Sequence, residues 1–267
     1  KIAKEKARLI KEGKIKKEKP LPEISEDEKP FALPSGWEWA SLLHIGIFSG
    51  GKTPSKLKSI YWNGDIPWVT PKDMKVPRIF DTQDHVTALA IDDGLSLNDS
   101  ESILFVVRSG ILRHSFPVAI AKVPCTVNQD LKVLSLYLKG MSSYIYLMMR
   151  GFERYILKQL TKTGVTVESV LFEEFSKHFF MLPPLAEQQR IVAKVDELMA
   201  LCDQMEQRQI ESSDTHQILV ETLIATLTNA ADQKECASAW QCIANHFDTL
   251  FTTEQSIDQL KQTILQL

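Results

Sequence analysis

The apolar positions change period along the chain. Between Gly36 and Pro184 they come as short runs rich in β-branched and aromatic residues, IPWVT at 66–70, SILFVV at 102–107 and KVLSLYL at 132–138. The turn signals Gly50-Gly51, Asn63-Gly64 and Ser109-Gly110 separate these runs, which predict strands. One stretch differs: MSSYIYLMMRGFERYILKQL at 141–160 puts Tyr144, Leu147, Met148 and Ile156 at roughly helical spacing. Residues 36–184 are therefore expected to fold as a mixed α+β domain of ordinary size.

From Pro184 the period becomes helical and stays so. Pro184 suits a first helical position and Glu187 a first-turn acid. Ile191, Val195, Leu198, Cys202, Met205, Gln209, Ser212, His216, Leu219, Leu223 and Thr226 follow in alternating steps of four and three, the pattern of a seam that needs a partner helix. Its middle members, Gln209, Ser212 and His216, are polar, which weakens the seam but can fix register or partner number. A second helical stretch, Ala237 to Leu267, carries Trp240, Ile243, Phe247, Leu250, Ile257, Leu260, Ile264 and Leu267. The two stretches either pair as an antiparallel hairpin or join a dimeric bundle. The expected class is α+β: a mixed globular domain over 36–184 followed by long coiled-coil-forming helices over 185–267.

Residues 1–35 form a third stretch. Residues 1–12 read as a short basic helix closed by Gly13, and Pro20, Pro22, Pro30 and Pro34 mark an extended linker after it. Its cations Lys14, Lys16, Lys17 and Lys19 are nearly cancelled by Glu23, Glu26, Asp27 and Glu28, which favours a solvated linker over a phosphate-binding arm. Charge sharpens the division. The net charge of −3 is distributed as +3 over 1–35, +2 over 36–184 and −8 over 185–267.

An apolar fraction of 44% excludes a chain disordered throughout. No apolar run approaches the roughly 20 residues of a membrane span, and the Lys-rich start lacks the apolar core of a signal peptide. A soluble, cytoplasmic protein with no membrane partner is expected. Cys125, Cys202, Cys236 and Cys242 lack CxxC spacing and read as reduced thiols. Cys236, Cys242 and His246 lie in helical sequence, where i and i+6 point to different faces, so no metal is expected.

Catalytic constellations are missing as well. The sequence has no GxxxxGK[ST] loop, no GxGxxG after a strand, no HExxH and no GxSxG. Ser49-Gly50-Gly51-Lys52-Thr53-Pro54 superficially suggests a phosphate loop, but the upstream glycine is absent and Pro54 blocks a following helix. A methyl-transfer enzyme would need a cofactor pocket and a Pro-Pro-aromatic base pocket, whereas Pro183-Pro184 is followed by Leu185. A non-catalytic protein without cofactors is expected.

Four motifs carry a resemblance. Leu33-Pro34-Ser35-Gly36-Trp37-Glu38-Trp39, Gly50-Gly51-Lys52-Thr53-Pro54-Ser55, and the run from Tyr61-Trp62-Asn63-Gly64-Asp65-Ile66-Pro67-Trp68-Val69-Thr70 to Pro71-Lys72-Asp73-Met74 resemble a target recognition domain of bacterial type I restriction-modification specificity subunits. Leu182-Pro183-Pro184-Leu185-Ala186-Glu187-Gln188-Gln189-Arg190-Ile191-Val192 resembles that family's entry into its helical spacer. Within these motifs Ile66, Trp68 and Val69 suit a buried strand, Pro67 an edge and Asn63-Gly64 a tight turn. Trp37, Trp39 and Trp68 suit the core better than base stacking.

The resemblance implies a non-catalytic reader of double-stranded DNA, with two recognition domains held apart by helices. Methyltransferase subunits dock on the assembly and an ATP-dependent restriction subunit joins them. This chain carries one recognition domain. Residues 1–35 resemble the stretch that follows the central helices in full-length relatives, Lys1 is not a start methionine, and Leu267 falls where relatives continue. A naturally half-length chain, expected to form a homodimer, and a fragment of a longer one are both open.

DNA contact is expected from Lys52, Thr53, Lys56 and Lys58 in one Gly-bounded loop, from Lys72, Arg108, Arg113, Lys162 and Thr163, and from Asn128 and Gln129, whose amides suit adenine but equally suit a turn. A coiled-coil adaptor that binds protein instead of DNA is the competing reading.

Overall fold

The computed structural model describes residues 1–13, 15, 24–25, 29–164 and 167–265. They form two compact units, Lys1–Ala193 and Lys194–Leu267. The first begins with α1 (Ile2–Lys11), β1 (Glu38–Ser41), α2 (Leu42–Ile45), β2 (Gly46–Gly50), β3 (Trp62–Val69), β4 (Arg78–Ile79), β5 (His85–Val86) and α3 (Ala88–Asp92). It continues with β6 (Ile103–Val106), β7 (Arg108–Ser109), β8 (Val118–Ala121), β9 (Thr126–Val127), β10 (Leu131–Leu136), α4 (Ser142–Gly151) and α5 (Glu153–Gln159). It closes with β11 (Thr161–Lys162), β12 (Glu168–Val170), α6 (Phe172–Lys177) and β13 (Phe179–Leu182). Helix α7 (Leu185–Thr228) starts in the first unit and continues into the second, which adds α8 (Gln233–Asn245), α9 (Phe247–Leu250) and α10 (Glu254–Ile264). The mixed α+β class with a long helix is the one the patterning predicts.

The first unit is organised by a five-stranded sheet of order β2-β10-β6-β8-β4, antiparallel except for β4 beside β8. Its middle strand β6 is buried on both faces. Ile103 and Phe105 enter a core with Phe116, Leu134, Ile145, Met149 and Phe175. Leu104 and Val106 point the other way, onto Val69, Val127, Leu131 and Val133. A strand covered on both sides needs an uninterrupted apolar run, which is why 102–107 shows no alternation. Each Phe or Leu so buried contributes about 1.5–3 kcal/mol. The stretch 141–160 is helical as expected but divides at Phe152 into α4 and α5, with Tyr144, Met148 and Ile156 buried and Leu147 half-buried.

Two details of β3 correct the sequence reading. Asn63-Gly64 does not turn the chain: β3 runs through both, Asn63 has φ 60°, and the register against β5 shifts between Trp62 and Ile66. A bulge uses the same left-handed freedom as a tight turn, so the dipeptide signal is shared by both. A Cβ on Gly64 would lie 2.5 Å from the Val86 carbonyl oxygen. Pro67 is also not at an edge, since β3 is the middle strand of β5-β3-β9. The strand changes partner there: β5 pairs with Trp62, Ile66 and Pro67, and β9 with Trp68 and Val69, so the missing N–H falls at the hand-over. Trp68 is buried, while Trp37 and Trp39 are half-buried.

Helix α1 forms where a basic helix is expected and ends at Gly13 with φ 69°. Its Ile2 packs against the core of the first unit, and Lys6 Nζ lies 5.3 Å from the Tyr137 ring centroid. Most of the expected linker, including Lys14, Lys16, Lys17 and Lys19, lies outside the described residues.

The second unit is closed by Val220, Leu227, Ile243, Leu250, Phe251 and Leu260, with Leu223 and Ile224 packed against them. The single helix expected from Ala237 is three: α8 ends at His246, and Thr253 opens α10 with a capping box to Ser256. Ile243, Leu250 and Leu260 are buried, whereas Trp240, Phe247, Ile257 and Ile264 are exposed. Leu267 lies outside the described residues.

The expected seam along α7 is divided by its surroundings. Ile191 packs on the first core, Val195 is half-buried, and Leu223 joins the second core. Leu198, Cys202, Met205 and Leu219 are exposed. In the second unit the buried register is Val220, Leu223, Ile224 and Leu227, so Leu219 and Thr226 lie beside it rather than in it. A straight helix drifts about 20° per heptad against a four-three repeat, roughly 80° between Ile191 and Leu219, which moves the stripe to another face. Among the described residues no helix is long and apolar enough to cross a membrane and no His, Cys, Asp or Glu cluster could hold a metal. All four cysteines are free, and burial pushes the Cys125 thiol up to about 12.

Candidate nucleic-acid interface

The loop after β2 is laid against the β9–β10 connection. Lys52 N–H donates to the Val127 carbonyl at 3.1 Å. A Cβ on Gly51 would meet the carbonyl oxygens of Val127 and Asn128 at 2.0 and 2.2 Å, so only glycine permits this approach. Two indoles clamp the loop from below: Trp68 Nε1 donates to the Lys52 carbonyl at 3.1 Å and Trp62 Nε1 to the Ser55 carbonyl at 3.2 Å. The tryptophans thus pack edge to face, 5.0 Å apart, and also fix where the loop lies. Thr53 Oγ1 then donates to Gln129 Oε1 at 2.5 Å, joining two predicted residues that are 76 positions apart.

Asp130 ties this loop to β7. Its N–H donates to Asn128 Oδ1 at 3.0 Å, forming an Asx turn. Its carbonyl accepts from Val107 and Arg108 N–H, its Oδ1 accepts from Arg108 Nε at 2.9 Å, and its Oδ2 accepts from Asn128 Nδ2 and Gln129 Nε2 at 3.3 and 3.2 Å. Asn128 is only 6% exposed and both ends of its amide are engaged in the turn. Of its two sequence readings, the turn is the one this geometry matches.

The small sheet β11-β12-β7 extends the same surface. Lys162 is opposite Ser169, and Ser169 is opposite Arg108. Directly opposed residues project to one face, so the three form a row. Lys162 is exposed, and among the described residues its ammonium has no carboxylate partner. Thr163 follows it, exposed, before Gly164.

The remaining candidates lie apart. Arg113 Nε donates to Glu168 Oε1 at 2.6 Å, and Glu168 is opposite Ser109, on the other face of the small sheet. Arg113 hydrogen bonding holds the Glu168 carboxyl below its usual range. Lys58 Nζ donates to the Tyr61 hydroxyl at 2.8 Å, which in turn donates to Asp93. Lys56 is exposed in the loop, and Lys72 is exposed in the turn that Thr70 closes on Asp73. Sequence reasoning misses Asp130 and Ser169. Asn128-Gln129-Asp130 ahead of a strand has Asx-turn spacing, which would have found the acid, whereas Ser169 is visible only once the register is known.

A polar surface fixed by hydrogen bonds and flanked by cations is thus carried on a mixed α+β unit continued by a long helix. The family model for the type I restriction modification DNA specificity domain matches residues 34–212. Across its whole length the chain is 37% identical to the type I restriction enzyme EcoAI specificity subunit of Escherichia coli and 36% identical to the EcoEI specificity subunit of the same species, covering 45% of each. The chain therefore belongs to the type I restriction-modification specificity family, and it spans less than half the length of these curated relatives. Two solved structures share the fold. The HsdS subunit from Thermoanaerobacter tengcongensis has a TM-score of 0.51 at 20% identity over 67% of this chain and 41% of that one. A chain from a structure on complex assembly and conformational transition of the type I R-M system has 0.55 at 19% identity over 80% and 49%.

Proposed function

We propose that the chain is the DNA-reading, non-catalytic part of a type I restriction-modification assembly, working in the cytoplasm. Residues 36–184 read one half of a bipartite double-stranded target, and residues 185–267 hold that domain against a second one and receive the methyltransferase subunits, which the restriction subunit joins. The observation that carries the reading is the contiguous surface of Lys52, Thr53, Gln129, Arg108 and Lys162, assembled from four separate parts of the sequence. Phosphates are met by cations and base edges by fixed donors and acceptors, and this surface offers both.

The exposed Leu198, Met199, Leu201, Met205 and Ile210 on α7 support helix pairing, with a second copy of this chain as the partner that supplies the other recognition domain. The acidic helices add no phosphate contacts, so the chain alone should bind duplexes weakly and with strong salt dependence. The test is selection from random duplexes by the chain reconstituted with its methyltransferase subunits. An enriched sequence is expected. Absence of any enrichment would overturn DNA recognition and leave the adaptor reading.

A further inference from the structure

Arg108 and Lys162 stand two strands apart in one row, yet their surroundings prepare them for different work. Lys162 is an exposed cation with no carboxylate partner among the described residues. Arg108 is anchored twice to Asp130, through its backbone N–H to the carbonyl and through Nε to the carboxylate, while its side chain stays 58% exposed. Among the described residues no hydrogen bond engages its two terminal nitrogens. Nε is the inner donor of the guanidinium, so fixing it aims the outer fork outward and removes much of the rotational freedom that a free arginine loses on binding.

We propose that Arg108 reads a guanine in the major groove, with both terminal nitrogens donating to O6 and N7, and that Asp130 is its positioning residue. The inference rests on the DNA-reading proposal above. Three arguments single out guanine. The guanidinium only donates, and guanine presents two acceptors side by side, whereas adenine places an N6 donor next to N7. The neighbouring Asp130 carboxylate repels a charged phosphate more strongly than the uncharged edge of a base, so the pair favours geometry over charge. Phosphate is provided for in the same row by Lys162, an exposed point charge that pairs with no carboxylate among the described residues. Asp130 is itself held by Asn128 and Gln129, which makes the whole β9–β10 turn a buttress for one side chain.

The test uses the full chain assembled with its methyltransferase subunits and the duplex selected by the wild type. Replacing guanines one at a time by 7-deazaguanine, which lacks the N7 acceptor, should weaken wild-type binding about tenfold at one position of the half-site. At that position R108K should lose roughly 10- to 100-fold of the preference for guanine, keep the preferences elsewhere, and show no further loss with 7-deazaguanine. D130N should relax the same position while strengthening binding to unselected duplexes, an effect that mere loss of fold would not produce. The inference is overturned if no guanine is sensitive to the modification, or if R108K binds all duplexes as the wild type does while R108Q weakens them all equally and lowers the salt slope by about one, the mark of a phosphate contact. A wild-type assembly that selects no sequence would overturn the DNA-reading proposal itself, a result distinct from a selected sequence indifferent to Arg108.

Discussion

The two units satisfy their apolar residues differently. In Lys1–Ala193 the strands and helices cover one another, and large side chains such as Phe105, Phe116, Phe175 and Phe180 meet inside one chain. In the second unit the end of α7 closes on α8 and α10, but the stretch between the cores leaves Leu198 48%, Met205 62% and Leu219 49% exposed. The same apolar residue types therefore stand in two settings. In the globule they hold a fold, and along the middle of α7 they stay exposed. Charge follows the same division: the globule places cations beside fixed acceptors, while the helical region carries the −8.

The largest effect that would sharpen the contrast is on stability. Phe105→Ala removes a ring in contact with Phe48, Phe116 and Phe175 and should cost about 3–5 kcal/mol, while Met205→Ala should stay within about 0.5 kcal/mol in the unassociated chain. Urea unfolding of the two variants checks this, and equal losses would break the distinction. Next comes assembly. Leu198→Glu together with Met205→Glu should weaken self-association at least about 30-fold without moving the unfolding midpoint of the globule, as light scattering beside thermal melts would show. A monomeric wild type at micromolar concentration would contradict the seam.

The smallest effect is a pH dependence confined to the globule. Burial, and then the nearby Lys6, hold His44 below its usual value, and Ser41 N–H donates to its Nδ1 at 3.2 Å in the cap of α2. The folded state therefore prefers the neutral ring. Its contribution is complete above the unfolded value of about 6.5 and declines as pH falls below it. His44→Gln should flatten the stability profile between pH 7 and 5. An unchanged slope would show that His44 charges freely in the folded state.

How far the sequence could be read depends on how local each signal is. The uninterrupted run 102–107 announces a buried strand because successive side chains enter apolar cores on both faces, and the entry to α7 is marked by Pro184 and Glu187. Asn63-Gly64 misleads because backbone freedom is common to turns and bulges, and only the partner strand decides between them. The helix expected over 237–267 is interrupted: α8 ends at His246, and Thr253 and Ser256 cap a new start at α10 that apolar spacing alone does not reveal. At the candidate interface the cations were legible by type, but their sorting was not. Arg108 and Arg113 are alike in sequence, but Arg108 lies in β7 and meets Asp130 of the β9–β10 turn, whereas Arg113 lies in the turn after β7 and meets Glu168, which the register sets on the face opposite to Arg108.

We propose that the globule reads bases and the helices set the distance between two such readers. A seven-residue insertion between Gln209 and His216 keeps the heptad phase and adds roughly 10 Å of helix. Sequence selection by the reconstituted assembly should then return the same half-site bases, separated by up to about three additional base pairs if helix and duplex run parallel and by fewer if they cross. A functional variant with unchanged separation, or with altered half-site bases, would contradict the account.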